Sequence, residues 1–254
     1  MASPAILTLA MWDSWQSKVS DSLPNFAAHP IYVDQGQCQA EFQSVADYVH
    51  RNGGPIEVEG KLRDAEYGAR VVETTQGPLT RMWLDSNVEL DFVRRHLPTA
   101  KKVLDIGAGY GRLAVAGREM FDRYVCVDAV PISTEVCRQY CGRFASQTEV
   151  PSLPDFLAIY GFHFNDIDLA INVHSWNECT REQITAWLDV LGEIGIPNLF
   201  TVSHGQNDGA IEKSYYSWED GRPSWRPLIE DRYELVAEES IGFSLHPHAC
   251  WKLK

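Results

Sequence analysis

One stretch, Val103 to Leu113, narrows what this chain can fold into more than any other. In it an apolar run carrying Asp105 breaks into Gly107, Ala108, Gly109, Tyr110 and Gly111 and then resumes with helical character. The run 101–106 reads as a buried strand and the segment 111–120 as the helix that follows it. Glycines at such a junction let the backbone turn tightly and let a ligand come closer than a side chain would permit. A dinucleotide loop spaces its glycines as G-x-G-x-x-G, which from Gly107 puts the third at position 112. Arg112 stands there, so a nicotinamide cofactor is disfavoured.

Downstream, strand-like and helix-like stretches alternate, the pattern of an α/β domain with a mostly parallel sheet. Strands are expected at 124–128, 168–173 and 198–203, with helices at 133–144 and 181–194. The last two candidates, 232–239 and 248–253, have no helix-length pattern between them and read as an antiparallel pair closing the sheet edge. Upstream the pattern weakens. A helix is expected over 38–50, stopped by Asn52, Gly53 and Gly54, and another over 85–96, capped by Asp85 and Ser86 and ending before Pro98. The first 35 residues read as irregular. The division that follows is a cap or substrate lid over 1–98 and a Rossmann-like α/β domain over 99–254.

Val103 to Leu113 resembles motif I of the class I S-adenosylmethionine-dependent methyltransferases, an acidic residue followed by G-x-G-x-G. The resemblance implies S-adenosyl-L-methionine as cofactor. Its methionine part would lie along Asp105, Gly107, Ala108, Gly109, Tyr110 and Gly111, and an acidic residue ending the next strand would take both ribose hydroxyls. Asp128, 21 residues after Gly107, stands in that place with Ala129 beside it. A carboxylate can accept both hydrogen bonds from a vicinal diol. The closing antiparallel pair suits the family's usual seven-stranded sheet. Adenine contacts are expected around 152–156, with Asp155 facing the amine, and Asn172 and Val173 complete the expected cofactor contacts.

In an open α/β sheet the chemistry gathers at the carboxyl ends of the strands. After the strand 168–173 the chain continues His174, Ser175, Trp176, Asn177, Glu178. Methyl transfer to a hydroxyl needs in-line attack on the sulfonium methyl, and a neutral histidine can take the proton as the new bond forms. His174 is therefore the expected base, with Asn177 and Glu178 as catalytic neighbours. The N/D-P-P-Y/F tetrapeptide of amino-methylating nucleic-acid enzymes is absent, which favours an oxygen acceptor. The block 171–188 and the piece 79–92 resemble a group of bacterial sugar O-methyltransferase-like proteins, implying a sugar or glycosylated small molecule as acceptor.

Past the fourth strand come Tyr215, Tyr216, Trp218 and Trp225, rings able to stack on sugar C–H faces or to favour a sulfonium cation. With Trp176 and His204, the first three of these are the expected substrate contacts. No metal is expected, because Glu178, Asp208 and Glu219 could converge only if loops gathered them. A phenolic or carboxylate acceptor, or a catalytically silent cofactor-binding partner protein, stays open beside the sugar reading.

The net charge of −13 and pI near 5.0 are relieved by no basic cluster larger than Arg94-Arg95 and Lys101-Lys102, so a polyanion is repelled and no nucleic-acid partner is expected. Residues 1–10 lack the basic start of a signal peptide, and no apolar run approaches the roughly 18 residues of a membrane span. No membrane partner is expected. The six cysteines show no C-x-x-C spacing, the usage of reduced thiols in a cytoplasm. Cys137 and Cys141, one helical turn apart, read as small buried residues.

Overall fold

The computed structural model describes residues 26–27, 39–204 and 211–254, with Glu212 described for its backbone alone. Apart from Phe26 and Ala27, the expected irregular start lies outside the described residues, as do Cys38 and Asp208.

The cap region begins with α1 (Gln39–Arg51), whose apolar face of Phe42, Val45, Ala46 and Val49 is buried. A hairpin, β1 (Val71–Thr74) and β2 (Gly77–Thr80), leads into α2 (Arg81–His96). This helix starts four residues before the expected Asp85. Thr80 is its cap, accepting from the Trp83 N–H, while Asp85 pairs instead with Arg81 at 3.0 Å. Twelve of its sixteen residues are buried, so α2 is an internal helix and not a surface lid.

The central sheet is built from β3 (Lys102–Ile106), β4 (Arg123–Val127), β5 (Leu169–Val173), β6 (Asn198–Val202), β7 (Tyr233–Ile241) and β8 (His246–Leu253). Their order is β4-β3-β5-β6-β8-β7, with the first four parallel and β8 antiparallel to both β6 and β7. The crossover segments carry α3 (Arg112–Ala116), α4 (Pro131–Phe144), α5 (Leu153–His163) and α6 (Arg181–Ile194), and α7 (Arg226–Glu230) precedes β7. The sheet has the six strands read from the sequence and not the seven usual in the family it resembles, since outside β4 parallel pairing is reduced to a single bridge between Val125 and Glu149. Pro151 follows two residues later, without an N–H to extend the ladder.

Side chains alternate across the sheet with the two-residue period of a strand. Val103, Tyr124, Cys126, Leu169, Ile171 and Phe200 join one core with α2 and α4, whereas Leu104, Ile106, Val125, Val127, Ala170 and Leu199 join another with α5 and α6. The first core also takes in Phe26, Val45 and Trp83, so apolar packing runs without a break from the cap region onto the sheet.

Two helices differ from the sequence reading. The segment after Gly111 is helical only to Ala116. Gly117 ends it where a Cβ would stand 2.9 Å from the Phe121 ring and 3.0 Å from the Leu113 carbonyl oxygen. Residues 153–163, for which the sequence suggested no helix, form α5; Ser152 accepts from the Asp155 N–H and Pro154 sits in the first turn. No helix among the described residues is long and apolar enough to cross a membrane.

Candidate active site

A pocket opens at the carboxyl ends of β3, β4 and β5. Its floor is the glycine loop. Gly107, Gly109 and Gly111 all have positive φ, and at two of them packing also forbids a side chain. A Cβ on Gly107 would lie 2.2 Å from Ser175 Oγ, and one on Gly111 would lie 2.6 Å from Cys141 Sγ. The loop is thus pressed against β5 on one side and α4 on the other.

Arg112, the residue that breaks the dinucleotide spacing, anchors the loop to the cap region. Its guanidinium makes a two-pronged bond to Glu89 on α2, both contacts at 2.7 Å, and a third to Ser86 Oγ at 3.0 Å. Asp105, beneath the loop, accepts from the Tyr124 hydroxyl at 2.9 Å, and burial pushes its carboxyl up to about 7.

Asp128 lies at the end of β4 and lines the pocket with Ala129 and Val130. One carboxylate oxygen accepts from the Gly109 N–H at 2.9 Å and the other from the Val130 N–H at 2.8 Å. Both oxygens are fixed, each with a further lone pair to offer a diol. Burial raises this carboxyl to about 6 against the pull of those two amides. Glu178 lines the same pocket, and burial, with the Asp128 charge second, drives its carboxyl well above the usual range. Glu178, expected as a catalytic neighbour of His174, thus lines the same pocket and feels the Asp128 charge.

His174 also lines the pocket. Its backbone, at φ 64° and ψ −30°, is held outside the ordinary regions by the Val202 carbonyl, which accepts its N–H at 2.7 Å, and by the Asn177 N–H, which donates to its carbonyl at 3.0 Å. The ring stacks on His204 at 4.4 Å and meets His246 edge-on at 4.5 Å. Burial, then the two neighbouring histidines, takes His174 well below the ordinary imidazole range, and burial takes His204 to about 4. Both are neutral at physiological pH. Nδ1 of His174 and Nε2 of His204 are buried without a hydrogen-bond partner among the described residues.

Several expected contacts fall elsewhere. Asn172 does not line the pocket: its amide donates to the Ile106 carbonyl and Ser175 Oγ and accepts from the Trp176 N–H, which shapes the turn that presents His174. Asn177 is likewise spent, donating to the Ser214 and Tyr216 carbonyls and accepting from the His204 N–H at 3.1 Å. It positions His204 and the segment after 211. Asp155 is exposed in the first turn of α5, bonded to Ser152 Oγ and away from the pocket. Tyr215 and Trp225 are fully buried against each other at 4.7 Å, with the Tyr215 hydroxyl on Glu238, and Tyr216 is buried beside Arg222. The apolar bulk of these rings closes the second core. Of the aromatic segment only Trp218 stays half-exposed, 4.8 Å from the His204 ring.

Trp176 is inside the pocket wall and fully buried, with an indole N–H that has no partner among the described residues. Val173 lines the pocket, as does Trp187, a residue the sequence reading did not single out. Its placement on α6 with a helical apolar stripe gave no signal beyond core packing. His246 was missed in the same way, as a residue just ahead of an expected strand.

Solved structures share this architecture. The methyltransferase domain of bacterial CtHen1-C superposes with a TM-score of 0.52 at 14% identity, over 66% of this chain and 96% of that one. An Aquifex aeolicus S-adenosylmethionine-dependent methyltransferase gives 0.49 at 15% identity, over 65% and 89%. M. capricolum TrmK, in complex with S-adenosyl-homocysteine, gives 0.41 at 10%, over 61% and 63%. No protein-family model matches the sequence, and no curated protein matches it. The likeness to CtHen1-C shows that the chain has the Rossmann-like class I methyltransferase fold, a mostly parallel sheet with an antiparallel closing pair.

Proposed function

We propose that this chain is an S-adenosylmethionine-dependent O-methyltransferase acting on a hydroxyl of a sugar or sugar-bearing small molecule. The observation that carries the cofactor reading is Asp128, fixed by the Gly109 and Val130 amides beside a loop whose Gly107 and Gly111 leave no room for a side chain. Asp128 would take the ribose diol, the loop 107–111 the methionine part, and the partnerless Trp176 N–H offers a further donor. The cofactor, when bound, supplies an electrophilic methyl on a sulfonium.

His174 is the reason for assigning an oxygen acceptor. It is neutral and lines the same pocket as Asp128. The acceptor oxygen forms its bond to the methyl carbon as the carbon–sulfur pair returns to sulfur, and the hydroxyl proton passes to the imidazole. Trp218, half-buried and 4.8 Å from the His204 ring, would be the ring to stack on a sugar face. The resemblance of 171–188 and 79–92 supports the sugar assignment, and the charge of −13 weighs against a polyanionic acceptor.

The test is transfer of labelled methyl from S-adenosylmethionine into fractionated cell extract by wild type and His174→Ala. Label in a saccharide or nucleotide-sugar fraction, lost with the variant, supports the acceptor and its base together. Label in RNA or protein overturns the acceptor and keeps the cofactor, and absence of turnover with tight S-adenosylhomocysteine binding would make the chain a silent partner.

A further inference from the structure

His174, His204 and His246 come from three separated places in the chain, the ends of β5 and β6 and the start of β8, yet their rings converge on one point. One nitrogen from each ring lies within 4.8 Å of the other two. Such convergence is costly when nothing fills it, since Nδ1 of His174 and Nε2 of His204 are both buried without a partner among the described residues. Nitrogens of one tetrahedral ion at about 2.0–2.1 Å stand roughly 3.4 Å apart, so side-chain rotations of about an ångström would close the set.

We propose that His174, His204 and His246 form a binding site for a divalent transition-metal ion, with a fourth position open toward the pocket that His174 lines. Three imidazoles without a carboxylate are the donor set of zinc, cobalt or nickel, not of magnesium or calcium, which take oxygen ligands. Arg81 lies near His174 and His204, but its guanidinium is bonded to Asp85 at 3.0 Å and rests over the Phe243 ring. Asn177 supports the site from behind by accepting the His204 N–H, and the strained backbone of His174 aims its ring at the other two. Metal binding stands without the proposed function. Its consequence rests on that reading: an acceptor hydroxyl on the open position would be acidified by the ion and lose its proton to solvent, and the oxygen would then bond to the methyl carbon as the carbon–sulfur pair returns to sulfur, with no free His174 imidazole as base.

The experiment titrates Co2+ into the full untagged chain after treatment with a chelator, reading visible d–d absorption, alongside His204→Ala and His246→Ala checked for fold by circular dichroism and by S-adenosylhomocysteine binding. One equivalent of cobalt with tetrahedral d–d bands, weakened at least about tenfold in both variants, is the expected result. No binding by wild type, or binding unchanged in both variants, overturns the site. Thiolate-to-cobalt charge-transfer bands that survive in both variants would place the ion at the other convergent set, Cys126, Cys137 and Cys141, and also overturn it. Methyl transfer measured on the same samples separates the two readings. Cobalt binding without turnover retains the site and sinks the enzyme, whereas turnover indifferent to chelation and to His204→Ala retains the enzyme and sinks the ion's part in methyl transfer.

Discussion

The two walls of the pocket are built on opposite plans. The cofactor wall is nearly contiguous: residues 105–112 supply the floor, and Asp128 reaches back to donate nothing and accept from Gly109. The histidine wall presents His174 to the pocket and is backed by His204 and His246, which do not line it. Local backbone geometry holds the first, and the register of β5, β6 and β8 holds the second. A wall made from one turn tolerates rearrangement of the sheet's far half, whereas a wall made from three strand ends does not.

The largest effect should come from cutting the tie between the glycine loop and α2. Arg112→Ala leaves Glu89 buried without its partner, and the loss should be about 3–5 kcal/mol in urea unfolding. A loss under about 1 kcal/mol would mean that the cofactor wall is self-supporting, which sharpens the contrast with the histidine wall. Asp128→Ala removes the acceptor of two loop amides and of the proposed diol. S-adenosylhomocysteine affinity should fall about a hundredfold by calorimetry, on the scale of charged hydrogen bonds worth ~1.5–3 kcal/mol each.

The histidine wall should respond in the other coordinate. His174→Ala should lower the methyl-transfer rate about a hundredfold while leaving S-adenosylhomocysteine affinity within about threefold. Equal losses in both would erase the division into two walls. A pH series tests the same division without mutation. Burial raises the Asp128 carboxyl to about 6, and in the proposed role it would accept both ribose hydroxyls only when ionised. Affinity should therefore hold above that pH and weaken by up to about tenfold per unit below it, in wild type and not in Asp128→Asn. The smallest effect belongs to a residue outside both walls. Asp155→Ala should cost about 0.5–1 kcal/mol of stability through the start of α5 and leave cofactor affinity unchanged.

The same contrast explains which parts of the site could be read from the chain alone. Asp105, the glycine loop and Asp128 were legible because a strand, a tight turn and a following strand leave their marks within two dozen residues. His174 was legible as a strand-end residue, but its two companions were not recognised as a set. Their meeting depends on β8 running antiparallel between β6 and β7, which brings position 246 beside the end of β6. Asn172, Asn177 and Tyr215 misled for a related reason. A polar or aromatic residue near a strand end has the same sequence signature whether it faces a ligand or a neighbouring backbone, and here buried carbonyls and amides claimed the two asparagines.

By itself, then, the sequence determined the order of the six strands of the central sheet and of the helices near 133–144 and 181–194, and the glycine turn with its acidic partner. These follow from periodicity and from backbone conformations open to few residue types, both of which act over short stretches of chain. Tertiary structure alone decided that α2 is an internal helix tied to the loop through Glu89 and Arg112. It also decided that the outermost strand shrinks to a bridge at Glu149, and that three histidines share one point. Each of these depends on which buried charges and strand ends become neighbours after packing, and that is settled by burial and register over distances the local pattern does not span.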